Sequence, residues 1–61
     1  MTNKIRKYGV GVGWQDGSHT IEYFSFKIAA LVRYTALSAD PDVQSLVVKN
    51  TKTHELIRFM L

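Results

Sequence analysis

The fold is decided by the stretch Tyr8-Gly9-Val10-Gly11-Val12-Gly13-Trp14, in which every second residue is glycine and every residue between is large and apolar. Side chains alternate between the two faces of a β-strand, so this pattern predicts a strand with one apolar face. The glycines would leave the opposite face bare, and glycine within a strand often marks the close approach of another backbone or a ligand. We therefore expect the second face of the sheet to be used for an interaction.

The dipeptide Asp16-Gly17 directly after this stretch predicts a β-hairpin with a two-residue loop of type I′. Such a turn needs positive φ at both central positions, and Asp-Gly adopts this conformation readily. The loop would join strand 1, at about residues 4–15, to strand 2, at about residues 18–25.

A two-residue loop also predicts the register of the hairpin. Tyr23 would face Val10 on the apolar side, and Glu22 would lie on the glycine side. The ring of Phe24 would then lie over Gly9 and fill the gap that the glycine leaves. A slip of one residue would place Glu22 beside Val10, so the apolar pattern itself favours this register.

From about residue 26 to residue 39 the apolar period becomes helical. Ser25 is the expected N-cap, and Asp40-Pro41-Asp42 ends the helix because proline cannot continue it. One stripe at helical spacing is expected to face the sheet: Ile28, Leu31, Val32, Thr35, Ala36 and Ala39. The other face is expected to point away from the sheet, as a second contact surface or as ordinary surface: Ala30, Arg33, Tyr34 and Leu37.

The last third of the chain predicts a second hairpin. Strand 3 is expected at about residues 43–49, a turn at residues 50–53, and strand 4 at about residues 54–60. The element order is then ββαββ. The compact arrangement of these elements is a single α+β domain over residues 1–61, a four-stranded antiparallel sheet with one helix packed on one face.

One helix shields one face of a sheet, yet apolar residues are expected on both faces. Contiguous exposed apolar patches usually mark interaction surfaces, although scattered apolar residues are normal on any protein. The predicted protein-binding residues are Phe24, Phe26, Val47, Leu56 and Met60, with Gly9, Gly11 and Gly13 allowing close approach. With Lys49 facing His54 and Ser45 facing Arg58 in the second hairpin, the same face is predicted to carry basic residues: Lys7, Lys49 and Arg58. Because aromatic rings stack on bases and cations neutralise phosphates, a nucleic-acid-binding module is the alternative hypothesis.

Size and composition favour association. A chain of 61 residues buries only about 60% of its unfolded surface, so its core is marginal. Small domains compensate with disulfides, metals or oligomerisation, and the absence of cysteine removes the first of these. We therefore expect a homodimer or a protein partner. The net charge of +3 favours polyanions only weakly. The polar start lacks the layout of a secretory signal, and no apolar run could span a bilayer, so a cytoplasmic protein without membrane contact is expected.

Residue patterns that carry chemistry are sparse. The alternating glycines lie within a strand, whereas a phosphate-binding glycine loop opens a helix. Neither His19 nor His54 has a second ligand at the spacing of a zinc site. No nucleophile, base and orienting acid are placed by spacing. We therefore expect a non-catalytic protein with no metal and no cofactor.

The layout resembles that of small accessory proteins of bacteriophages and prophages. The features that carry the resemblance are the Asp-Gly hairpin, a helix ending in Ala39-Asp40-Pro41-Asp42-Val43, and Ser45-Leu46-Val47-Val48 leading into Thr51-Lys52-Thr53. Some of these proteins, such as the phage inhibitors of uracil-DNA glycosylase, use a similar hairpin and helix in a dimer. Those inhibitors are strongly acidic and this chain is basic. The resemblance therefore implies a class of function, which is to bind and block a host protein within the host cytoplasm.

Overall fold

The structure, a computed structural model, describes residues 7–60 and consists of four strands and a helix in the order ββαββ. The elements are β1 (Tyr8–Trp14), β2 (His19–Phe24), α1 (Lys27–Ser38), β3 (Val43–Asn50) and β4 (Leu56–Met60). All neighbouring strands are antiparallel, and their order across the sheet is β2-β1-β3-β4. This confirms the predicted α+β fold. The part of strand 1 predicted before residue 7 lies outside the described residues.

The core lies between α1 and the two central strands. Val10 and Val12 of β1 point toward the helix, as the alternation with glycine predicts. Strand β3 pairs with β1 and places Val48 opposite Val10 and Leu46 opposite Val12. Both Val48 and Leu46 are also buried. The remaining buried residues are Ala30, Tyr34 and Leu37 of α1 and Val43 at the start of β3.

The first hairpin forms where predicted, but its loop has three residues instead of two. The Trp14 N–H donates to the Ser18 carbonyl oxygen at 2.9 Å, and the Gly17 N–H donates to the Trp14 carbonyl oxygen at 2.9 Å. Gly17 has a φ of 92°, whereas Asp16 has no positive φ, so the loop is a type I turn followed by a glycine bulge. Asp16 Oδ1 holds this loop by accepting hydrogen bonds from the Ser18 N–H and hydroxyl at 2.9 and 2.7 Å.

The extra loop residue shifts the register of β2 by one, so the predicted register is wrong. Gly9 pairs with Tyr23, and Val10 pairs with Glu22. Every side chain of β2 therefore lies on the face opposite to the predicted one. The aromatic ring that covers Gly9 is that of Tyr23 and not that of Phe24, because Phe24 points to the helix side and packs against the core.

The helix is rotated relative to the prediction. Ala30, Tyr34 and Leu37 face the sheet. Of the stripe that was expected to be buried, Leu31 is partly buried against the core, whereas Ile28 and Val32 point away from the sheet at 74% and 64% exposure. The physical reason is the shifted register of β2. It turns Glu22 toward the helix, and Arg33 lies on the same side of α1 as the buried residues.

Arg33 forms a bidentate ion pair with the Glu22 carboxylate. Arg33 Nε and Nη2 each donate to Glu22 at 3.1 Å. The two side chains remain 43% and 40% exposed, so the pair itself contributes at most about 1 kcal/mol. Its effect is to give Glu22 a partner on the helix side and to favour the rotation of α1 that buries Tyr34.

The bounds of α1 also differ slightly from the prediction. Ser25 is not the N-cap; Phe26 occupies that position with extended backbone angles and no side-chain capping bond. The helix stops before Asp40-Pro41-Asp42, as predicted. Within the part of the chain that the structure describes, no helix is long and apolar enough to span a membrane.

The second hairpin has a longer turn than predicted. The Asn50 N–H donates to the Glu55 carbonyl oxygen at 2.8 Å, and His54 adopts a left-handed conformation with a φ of 61°. Strand β4 therefore begins at Leu56. A bulge between Val48 and Lys49 changes the register along the ladder. The predicted pairs of Lys49 with His54 and of Ser45 with Arg58 are wrong, because Lys49 pairs with Leu56 and Val48 pairs with Arg58.

Candidate protein-binding face

The candidate site is the face of the sheet that α1 does not cover, which we call the glycine face. The ladder registers place on it Gly9, Gly11 and Gly13 of β1, His19, Ile21 and Tyr23 of β2, Ser45, Val47 and Lys49 of β3, and Leu56 and Phe59 of β4. Above the glycines lies a shallow trough of about 290 Å³. Its walls come from β2 and β3, and its end is closed by Thr51 and His54.

The glycines allow side chains from both neighbouring strands to lean over β1. A Cβ atom on Gly11 would lie 3.1 Å from Val47 Cγ1, which is closer than ordinary van der Waals contact. A Cβ atom on Gly13 would collide with the Ser45 hydroxyl. Side chains of the neighbouring strands thus cover part of the glycine strip. The depression that remains is wide and open. Such a shape suits a flat partner better than an enclosed small molecule.

Large apolar side chains on the glycine face are highly exposed: Ile21 and Tyr23 line the trough, and Leu56 and Phe59 lie beyond β3 on β4. Ile21 is 56% exposed, Tyr23 50%, Leu56 51% and Phe59 58%. Single exposed apolar residues are normal, but these four share one face. None of the residues that the described registers place on this face is acidic, and Lys49 is exposed there. The face is therefore apolar with a weakly positive border.

The structure brings together only part of the predicted protein-binding set. Val47 and Leu56 lie on the glycine face as predicted, together with the three glycines. Phe24 and Met60 are wrongly placed in the prediction, because both pack against the core on the helix side. Phe26 is also misplaced, since it is the helix N-cap and not a strand residue, although it is 70% exposed.

The predicted basic residues also do not all lie on the glycine face. Lys49 lies on the glycine face, and Lys7 is exposed directly before β1. Arg58 is wrongly placed in the prediction, because its partner Val48 points to the helix side. The residues that sequence reasoning missed are Ile21, Tyr23 and Phe59. The signal that could have found Ile21 and Tyr23 is the ability of Asp16-Gly17 to form a three-residue loop.

A second apolar surface lies on the outer side of α1. It consists of Ile28, Leu31, Val32, Thr35 and Ala36. Leu31 is partly buried against the core, and the Thr35 hydroxyl donates to the Leu31 carbonyl oxygen at 2.9 Å. Because this hydroxyl is bonded within the helix, it adds little polarity to the surface. The domain therefore presents apolar side chains on both of its outer layers.

The Asp16 carboxyl has a shifted pKa. Hydrogen bonds from the Ser18 hydroxyl and then from the Ser18 N–H lower the pKa of Asp16 below its ordinary value of 3.8, which keeps the carboxylate charged in the hairpin loop. Within residues 7–60, no three His, Cys, Asp or Glu side chains lie together as metal ligands would. The arrangement on the glycine face can make apolar and polar contacts, and the Ser45 hydroxyl and the His19 ring lie on either side of Gly13.

No protein-family model, no curated protein and no solved structure matches the chain.

Proposed function

We propose that this protein is a non-catalytic binding module that docks a protein partner through the glycine face. The observation that carries the proposal is the cluster of Ile21, Tyr23, Leu56 and Phe59 at half exposure or more on one uncovered face. Burying such side chains stabilises a complex by about 25 cal/mol per Å² of apolar surface removed from water. Binding of a partner that fits the face is therefore favourable.

The side chains of the glycine face indicate what kind of partner surface would be complementary to it. Aromatic side chains such as Tyr23 and Phe59 are typical energetic anchors of protein interfaces, and apolar neighbours around them exclude water. The trough lined by Gly9 and Gly11 offers room for a flat segment or a protruding apolar side chain. The partner surface that fits is thus apolar at its centre, with neutral or acidic groups opposite Lys49.

The biological role that we propose is inhibition or modulation by occupancy. The support for it is the resemblance in layout to phage accessory proteins that bind and block a host protein in the cytoplasm. A binder of this kind needs only a stable contact surface, and the small sheet with its uncovered face is suited to that task.

Two phenylalanines allow a matched test. Phe59→Ser removes an aromatic ring from the glycine face, whereas Phe26→Ser makes the same change at an exposed site off the sheet. We expect Phe59→Ser to weaken partner binding by about tenfold or more, because truncating an aromatic anchor at an interface costs about 2 kcal/mol or more and each 1.4 kcal/mol is about tenfold in affinity. We expect Phe26→Ser to change the affinity by less than about twofold.

The measurement is capture from extracts of the cells that produce the protein, followed by calorimetric titration of the recovered partner. Circular dichroism first shows that both variants are folded. A protein that is lost with Phe59→Ser and retained with Phe26→Ser supports the proposal. Equal binding by the two variants would place the interface elsewhere.

A specific observation favours single-stranded nucleic acid as the second candidate. The shifted register moves Glu22 to the helix side and leaves Tyr23, Phe59 and Lys49 on a face without acidic groups. Aromatic rings beside cations bind single strands by stacking and by phosphate neutralisation. This candidate is a proposal that competes with protein docking for the same surface.

Salt dependence separates the two candidates. For a labelled mixed-sequence oligonucleotide held on this face, the logarithm of the binding constant falls with the logarithm of salt by about 0.7 per phosphate contact. Lys49→Glu would then weaken binding more than Lys52→Glu, which makes the same charge change in the exposed turn. Equal effects of both changes would indicate nonspecific attraction to a basic protein and would remove this candidate.

A further inference from the structure

The outer edge of β2 carries backbone groups that no described strand pairs with, since β2 is the first strand of the sheet order. Trp14 and Ser18 form a hydrogen-bonded pair at the start of the hairpin. Hydrogen-bonded and non-hydrogen-bonded pairs alternate along an antiparallel ladder. The backbone N–H and C=O groups of His19, Ile21 and Tyr23 therefore point outward.

This edge has few of the features that usually prevent strand pairing, and its one carboxylate, Glu22, is paired with Arg33 on the helix side. The register of β1 with β2 runs without a bulge over its whole length, and β2 contains no lysine and no proline. The opposite edge, β4, contrasts with it, because it is shorter, contains Arg58 and lies beside a bulge. Proteins block unwanted edge pairing by such bulges and charges, so β2 is the edge left open.

We propose that β2 pairs antiparallel with β2 of a second copy of this chain, on a two-fold axis at Ile21. His19 then lies opposite Tyr23 of the second copy, and Ile21 lies opposite itself. All three outward-pointing residues form hydrogen-bonded pairs, each of which exchanges two backbone bonds. Thr20 lies opposite Glu22 of the second copy, so no like charges face each other.

Other registers fit this sequence less well. An axis at Glu22 would place two carboxylates directly opposite each other at the closest spacing of a ladder, which is destabilising. It would also leave fewer hydrogen-bonded pairs within His19–Phe24, as would an axis at Thr20. The axis at Ile21 is therefore the register in which backbone bonds, apolar pairing and charge agree.

In the dimer, the two four-stranded sheets would form one continuous sheet of eight strands. A two-fold axis perpendicular to the sheet keeps both helices on one side and both glycine faces on the other. The Ile21 and Tyr23 side chains of the two copies would then lie next to each other at the centre of the shared sheet. Edge pairing leaves the glycine faces uncovered, so this inference does not depend on the function proposed above.

The test uses charge at the two-fold axis. Ile21→Lys and Ile21→Glu each place like charges opposite each other in the dimer, while a mixture of the two variants places opposite charges there. Leu56→Lys is the matched control, since Leu56 lies on the same face at similar exposure but on the other edge strand. Sedimentation velocity is measured for each protein from micromolar to millimolar concentration.

We expect the wild type and Leu56→Lys to dimerise, each Ile21 variant to be monomeric, and the mixture to recover the dimer. A monomeric wild type over this range would overturn the proposal. Loss of the dimer in Leu56→Lys, or no recovery in the mixture, would also overturn it and would indicate contact through the glycine face.

Hydrogen exchange on the wild type provides a second measurement that does not need a variant to fold. The amides of His19, Ile21 and Tyr23 should exchange slowly at high concentration and quickly on dilution. The amides of Thr20 and Glu22, which point into the β1 ladder, should be protected at both concentrations. Fast exchange of the first group at all concentrations would contradict edge pairing.

Discussion

Replacing Tyr34 with alanine is expected to lower the free energy of unfolding by about 3–5 kcal/mol, as for other buried aromatic side chains. Tyr34 is 8% exposed and lies between Ala30 and Leu37 on the buried side of α1. At about 0.05–0.15 kcal/mol per residue, the whole domain has a stability of roughly 3–9 kcal/mol. Urea unfolding followed by circular dichroism should therefore show Tyr34→Ala largely unfolded or with a much lower midpoint.

The matched control is Val32→Ala on the outer side of the same helix. Val32 is 64% exposed, and alanine is the better helix former, so its stability should be unchanged or higher by at most about 0.7 kcal/mol. A larger loss for Val32→Ala than for Tyr34→Ala would mean that α1 turns its other side to the sheet.

Proline substitutions in β2 are expected to differ sharply between neighbouring residues. The N–H of Glu22 points into the ladder with β1, so Glu22→Pro removes a hydrogen bond and leaves a carbonyl of β1 without its donor. This should lower the free energy of unfolding by about 2–4 kcal/mol. Ile21→Pro removes an N–H that points outward, and proline is tolerated at such positions of edge strands. Its effect should be clearly smaller.

Thermal unfolding of dilute protein measures both variants. Glu22→Ala is the control, because it removes the ion pair with Arg33 and keeps the backbone donor. It should lower the stability by no more than about 1 kcal/mol. If Ile21→Pro destabilised the domain as much as Glu22→Pro, the outward assignment of His19, Ile21 and Tyr23 would be wrong.

The elements and their order could be predicted from local patterns. Alternation of glycine with apolar residues in Tyr8–Trp14, helical spacing after Phe26 and the stop at Pro41 each act over a few residues. Two of the three strand pairs, β1 with β2 and β3 with β4, then follow from hairpin connections, whereas the central pair of β1 with β3 joins strands that β2 and α1 separate in sequence. These features were sufficient for the ββαββ sheet with one helix.

The register of the first hairpin could not be predicted in the same way. Asp16-Gly17 is compatible with loops of two or three residues, and the choice depends on the bonds from Ser18 to the Asp16 carboxylate and on Gly17 alone taking positive φ. The apolar pattern favoured the shorter loop because Glu22 then avoided Val10. That pattern contains no information about Arg33, which is distant in sequence and provides the partner for Glu22.

Two further errors are linked to that first one, whereas the misplacement of Arg58 and Met60 comes from the bulge between Val48 and Lys49 in the second hairpin. With Glu22 on the helix side, the face of α1 that contains Arg33 also faces the sheet, and the predicted stripe around Val32 is exposed. The predicted binding set lost Phe24 for the same reason. The glycines, Val47 and Leu56 were placed correctly because their faces do not depend on the first loop.

The three-residue loop at Gln15-Asp16-Gly17 has an evolutionary consequence. Because strand faces alternate, an insertion or deletion of one codon in this loop would exchange the whole set of β2 side chains between the interior and the surface. Glu22 and Phe24 would then lie beside the glycines, and Ile21 and Tyr23 would lie beneath the helix. The length of this loop therefore decides which half of the β2 side chains the protein exposes, an effect that no single substitution within the strand could have.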